Sequence, residues 1–199
     1  RLHLFGKVSF STMISAISAL ITRARSCKAI SPLSDSFCLN SMHRLLKPRS
    51  IVTATSLLRS LTSAYDVCLF SSARSALYVA LISACNPSKQ YVIVQAFTCA
   101  VVVNSICRAG FIPLYLDQSP SNPLHYCQHH LQKLLDAHQR KISGIIIQQA
   151  FGEQLDTSML KCYCDTEGIV LIIDLALSSL VSRDIEESLH CHFSITSFD

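Results

Sequence analysis

The sequence predicts an α/β domain, built as a mostly parallel sheet with helices on both faces. Two observations carry this expectation. From about residue 51 onward, apolar runs of strand length alternate with stretches of helical period, at intervals suited to βαβ units. The strand candidates are also continuously apolar rather than two-faced, as strands covered on both sides must be.

The elements follow in order. Ser72 to Cys85 carries Leu77, Ala80, Leu81 and Ala84 on one stripe, and Asn86-Pro87 stops the helix. Tyr91 to Val94 reads as a short buried strand. Thr98 to Ala109 is helical, with Gly110 where a left-handed residue closes a helix. Ile112 to Leu116 is the next strand, ended by Asp117, Pro120 and Pro123. His125 to Arg140 forms an amphipathic helix through Leu131, Leu134 and Leu135. Ser143 to Gln149 is a strand with Ile145-Ile146-Ile147 at its centre. Asp156 caps a helix that runs to Glu167 and stops at Gly168. Ile169 to Ile173 is a further strand, and Phe193 to Phe198 alternates weakly enough to be one more.

Residues 1–50 are expected to form an N-terminal extension of helix and loop, and 51–199 the sheet domain. Within the extension, Val8 to Thr22 is apolar and flanked by Lys7, Arg23 and Arg25. It is too short to span a bilayer. Phe10, Met13, Ile14, Ile17, Leu20 and Ile21 recur at helical spacing, so an amphipathic helix is expected over a targeting segment. No membrane association is expected.

Composition narrows the function classes. Half of the 199 residues are hydrophobic and 15% are charged, which excludes a disordered chain. The net charge of +4 is spread thinly, with no basic cluster longer than Lys47-Pro48-Arg49, so no nucleic-acid footprint is expected. Several of the ten cysteines, Cys68, Cys85 and Cys107 among them, lie in apolar runs where Cys acts as a small hydrophobe. A reducing, cytoplasmic setting follows. Cys162, Cys164, His190, Cys191 and His192 match no standard zinc spacing and read as ordinary buried thiols and their neighbours. His129-His130 reads as part of a solvated helix face.

In an open α/β sheet, ligands bind beyond the carboxyl ends of the strands. After Phe70 comes Ser71-Ser72-Ala73-Arg74-Ser75, a helix start of the kind that seats phosphate. After Val94 comes Gln95-Ala96-Phe97-Thr98-Cys99. After Ile147 come Gln148 and Gln149, to which no role is assigned. Asp174 follows Ile173 as a single carboxylate at the end of an apolar strand. The chain has no GxGxxG, P-loop, HExxH or CxxC motif, which disfavours dinucleotide and P-loop sites and leaves a smaller phosphorylated cofactor as the better match.

The ordered blocks Ser71–Leu77, Val92–Cys99 and Ala109–Asp117 resemble successive motifs of the DegT/DnrJ/StrS aminotransferases. Phe151-Gly152, Gly168–Asp174 and Ser197-Phe198-Asp199 follow in the same order, so the resemblance covers about residues 65–199. It implies the large domain of a fold-type I enzyme that uses pyridoxal 5′-phosphate (PLP). Such enzymes are usually homodimers that aminate nucleotide-linked keto-sugars at the expense of an amino-acid donor. Position by position, the resemblance places Arg74 and Ser75 at the cofactor phosphate and Cys99 at the face of the ring. It makes Asp174 the catalytic carboxylate, paired with the pyridine nitrogen, and Ser197 a second residue near the phosphate. Leu177 stands where the family usually has a polar Gln or His, and Ile173 where an acidic residue is common. The family's pattern S-F-x-x-x-K would put the Schiff-base lysine three positions beyond Asp199, with the small domain after it.

Each residue also has a plainer reading. Asp174 could cap a turn, Arg74 and Ser75 could serve only as helix-start residues, and Cys99 could be a buried small hydrophobe. The expectation is an incomplete aminotransferase, inactive as these 199 residues stand. The alternative is a non-catalytic remnant or split-gene fragment that folds, binds cofactor weakly or pairs with a partner. A Rossmann-like domain for another phosphorylated ligand is a further possibility.

Overall fold

The computed structural model describes residues 67–151, 155–177 and 190–197. The helix expected over Val8 to Thr22, the domain boundary near residue 50, and the blocks at Gly152, Phe198 and Asp199 lie outside the described residues.

The first helix, α1 (Ala73–Ala84), opens at the N-cap Ser72, whose Oγ accepts a hydrogen bond from the Ser75 amide at 3.2 Å. Its stripe of Ala76, Leu77, Val79, Ala80 and Leu81 is buried. Strand β1 (Tyr91–Gln95) follows, then α2 (Ala100–Arg108) and β2 (Ile112–Leu116). Gly110 closes α2 at φ +90°, a conformation open to glycine without cost. Helix α3 (Gln128–His138) runs through a 3-10 turn (Gln139–Lys141) into β3 (Ile142–Ala150). Helix α4 (Ser158–Glu167) ends at left-handed Gly168 and leads to β4 (Val170–Leu177); β5 (Phe193–Thr196) is the last described strand.

The five strands form one parallel sheet in the order β2-β1-β3-β4-β5. Both faces are covered. Val92, Val94, Ile146, Ile172, Phe193 and Ile195 join the apolar sides of α1 and α2 in one core. Ile93, Ile145, Ile147, Leu171 and Ile173 meet Leu131, Leu135, Leu160 and Cys164 of α3 and α4 in the other. Every residue of β3, the central strand, is buried. Its Gly144 lies in a tight place: a Cβ there would be 3.0 Å from Cys85 Sγ and 3.4 Å from the Val170 carbonyl oxygen.

Among the described residues the expected elements are present, and three details differ. Strand β4 continues four residues beyond Ile173, because Leu175, Ala176 and Leu177 are apolar and hydrogen-bonding strands lie on either side. Asp174 therefore sits inside the strand rather than at its end. The third helix is shorter than His125–Arg140, since 118–127 is tied back by the Gln118–Tyr126 bridge. Cys107 is exposed, because α2 buries its opposite side through Val102, Ser105 and Ile106.

Candidate active site

All five strands point the same way, so their carboxyl ends share one edge, and the N-termini of α1 and α2 open there. The fold brings the expected residues to this edge. Arg74 is exposed in the first turn of α1. Ser75 is half-buried, and its Oγ lies 2.9 Å from Ser72 Oγ. The amides of Ala73 and Arg74, in the first helical turn, have no acceptor within the helix, the usual provision for an anion. The Ser75 amide is already taken by Ser72, so Ser75 would meet a phosphate through its hydroxyl. Ser72, part of the sequence motif but without a role of its own there, is the N-cap that shapes this helix start.

Cys99 is the N-cap of α2 and makes no side-chain capping bond; its thiol is exposed rather than buried as a small hydrophobe. Ser197 directly follows β5 and is half-buried.

Asp174 is the buried carboxyl group of the edge. It pairs in register with Gln148 of β3 and Ile195 of β5, and alternation along β4 puts it on the same side of the sheet as Ile172, the side covered by α1 and α2. Its side chain is 6% exposed, and Oδ1 accepts from the Ala176 amide at 3.0 Å. Burial pushes the carboxyl above the ordinary carboxylate range, with the Ala176 amide partly opposing the rise. Among the described residues, Asp174 forms no ion pair. A buried carboxylate without a cation suits a ligand that brings its own N–H or positive charge.

Glutamine side chains tie the strand ends here. Gln95 Oε1 accepts from the backbone amide of Gln148, and Gln149 Nε2 donates to the Leu155 carbonyl at 3.2 Å. Beyond them the register of β3 on β4 shifts between Gln148 and Ala150. Phe151 then turns with φ +58°, its amide donating to the Leu177 carbonyl at 3.2 Å. Phe151 and Leu177 are both exposed, so two apolar side chains stand at this end of β3 and β4.

Away from this edge, His130 is not simply solvated. Its Nδ1 lies 3.1 Å from the Asp117 amide and 2.9 Å from Asp117 Oδ2. Cys164 is buried, and desolvation pushes its thiol up to about 12, while Cys162 is exposed. Among the described residues, no three His, Cys, Asp or Glu side chains gather as metal ligands would. No described helix is long and apolar enough to cross a membrane.

Comparison with known proteins gives this geometry a family. No curated protein matches the chain. Among solved structures, a DegT DnrJ EryC1 StrS aminotransferase from Brucella abortus is similar at TM-score 0.54 and 19% identity, over 83% of this chain and 40% of its own. An aminotransferase from Psychrobacter cryohalolentis is similar at 0.56 and 14%, over 87% and 38%. A GDP-4-keto-6-deoxymannose-3-dehydratase with bound GDP-perosamine is similar at 0.54 and 16%, over 74% and 40%. The chain thus spans about two fifths of the length of these proteins, which share its fold. Residues 56–182 match the sequence pattern of the DegT/DnrJ/EryC1/StrS aminotransferase family, and the chain belongs to that family.

Proposed function

We propose that these residues form the cofactor-binding part of a PLP-dependent aminotransferase acting on a nucleotide-linked keto-sugar, in a cytoplasmic homodimer. The family is one of aminotransferases, and its cofactor is PLP. The sugar assignment is supported by the fold shared with a structure holding GDP-perosamine.

The observation that carries the reading is Asp174, a buried carboxylate with no cation among the described residues, at the edge where two helices open. The residues fit the cofactor. Asp174 would accept the pyridine N–H and hold that proton in place. The first turn of α1, with Arg74 and Ser75, would bind the phosphate, and Ser197 would add a hydroxyl from β5. Cys99, exposed at the start of α2, would bear on the ring face. When bound, PLP supplies an electron-accepting ring for exchange of an amino group with a carbonyl. The protein's part is to orient that ring and keep its nitrogen protonated.

Equilibrium dialysis of the 199-residue chain against PLP tests the site. Asp174→Asn should weaken binding by about 10- to 100-fold, the usual worth of a hydrogen bond to a charged group. Equal binding by both proteins would remove Asp174 from the site. Amino-group transfer is read in the natural gene product, given an amino-acid donor and a nucleotide-linked keto-sugar. Mass spectrometry should show an amine replacing the carbonyl, and an unchanged sugar would reject the substrate class.

A further inference from the structure

At the opposite edge of the sheet, one histidine closes the junction between β4 and β5. The His192 amide donates to the Leu171 carbonyl at 3.0 Å, and the Leu171 amide donates to His192 Nδ1 at 2.9 Å. His192 therefore satisfies both backbone groups of Leu171 immediately before the first strand pair, Ile172 with Phe193. Because Nδ1 accepts, the ring proton resides on Nε2, which lies 2.9 Å from Asp165 Oδ1 on α4. Asp165 is itself paired with Lys161.

The geometry points to His192 as a proton-operated clasp. Neutral, it locks β5 onto β4; protonated at Nδ1, it sets two donors face to face and releases the Leu171 rung. The strand so loosened leads directly to Ser197. That link to the cofactor rests on the function proposed above, whereas the clasp itself does not.

The titratable and charged groups facing the ring among the described residues are Asp165 and Lys161 of α4. His190 and Cys191 precede it in the chain, and β4 offers the Leu171 backbone. Half-burial, aided by Lys161, holds the His192 pKa below the ordinary histidine range, against the pull of Asp165. The linkage sign follows from that direction. The folded state favours the neutral ring, so the clasp is intact above about pH 6.5 and is lost as pH falls through the lower folded value.

Nitrogen-15 spectra of the ring in the wild-type chain test this directly. They should show the Nε2–H tautomer at pH 7 and a midpoint below that of a free histidine. An Nδ1–H tautomer, or a midpoint above the free value, would overturn the proposal. Native-state hydrogen exchange adds the mechanical readout. Between pH 7.5 and 5, the Leu171 protection factor should fall by about tenfold, on the scale of one lost hydrogen bond. In His192→Asn the amide oxygen can still accept from Leu171 and does not titrate, so protection should stay level. An equal fall in both proteins would assign the effect to other groups and reject the clasp. Should the variant fail to fold, the ring titration in the wild type still decides. Measuring PLP affinity over the same pH range separates the two readings. Clasp opening without any change in affinity would cut the link to Ser197 and leave the clasp standing.

Discussion

The side-chain oxygen of Gln95 accepts the backbone hydrogen bond of Gln148 on the neighbouring strand. The relationship exists because β1 ends while β3 continues. After Gln95 the chain turns toward β2, with the Ala96 amide donating to the Leu116 carbonyl, and the next buried amide of β3 needs another acceptor. Gln95→Ala would leave that amide unpaired in a site where both glutamines are buried. The expected loss is about 1–3 kcal/mol in urea unfolding, the cost of an unsatisfied buried donor. Gln148 adjoins Asp174 in register, so the loss should be accompanied by weaker PLP binding.

Under the proposed function, Asp174 trades stability for binding. Its carboxyl is raised by burial, so the folded chain holds the proton more tightly than the unfolded chain does. The contribution to stability is therefore greatest below the ordinary Asp value of about 3.9, and declines as pH rises through the higher folded value. At neutral pH, above the ordinary Asp value, the ligand-free chain has lost stability to this burial. Asp174→Asn should raise the thermal midpoint at pH 7 and have little effect near pH 3.5, while weakening PLP binding. A midpoint at pH 7 equal to or below that of the wild type would show that Asp174 is not a strained charge.

The cysteines give a chemical map of exposure. Cys99, Cys107 and Cys162 are exposed and should react readily with a maleimide. Cys85 and Cys164 are buried, and desolvation pushes each thiol up to about 12, so both should resist until the chain unfolds. PLP should slow labelling of Cys99 alone among the exposed three. Mass mapping of labelled peptides checks this, and equal rates at Cys99 with and without PLP would take it away from the ring.

What was legible in the sequence was local. The run Ile145-Ile146-Ile147 could only be a buried strand or helix segment, and Gly110 and Gly168 mark helix ends through their left-handed backbone. The placement of Asp174 was not local. A carboxylate after five apolar residues reads as a strand end, yet pairing from both β3 and β5 carries the strand past it. The bond between Gln95 and Gln148 joins residues 53 apart and arises from where one strand stops, which no spacing rule conveys. Ser72 stood inside the first motif, and its capping of the Ser75 amide became plain only with the helix start in place. His130 and His192 read as solvated or incidental because their partners, Asp117 and the Leu171 backbone, come from other elements.

Gly144 and Cys85 form a coupled pair at the amino end of the sheet. Gly144 has no left-handed backbone to protect, so Ala would gain about 0.4–1 kcal/mol from the unfolded state if space allowed. The space is tight. The added Cβ would lie 3.0 Å from Cys85 Sγ and 3.4 Å from the Val170 oxygen, between a helix end and a buried strand. Gly144→Ala should therefore destabilise by about 1–3 kcal/mol, the usual cost of overpacking. Cys85→Ala removes the sulfur and should itself cost stability, because Cys85 is buried in the core. Combining the two should recover part of the loss, with a coupling of at least about 0.5 kcal/mol in a double-mutant cycle. Strict additivity would mean that the Val170 carbonyl, not the thiol, excludes a side chain at position 144.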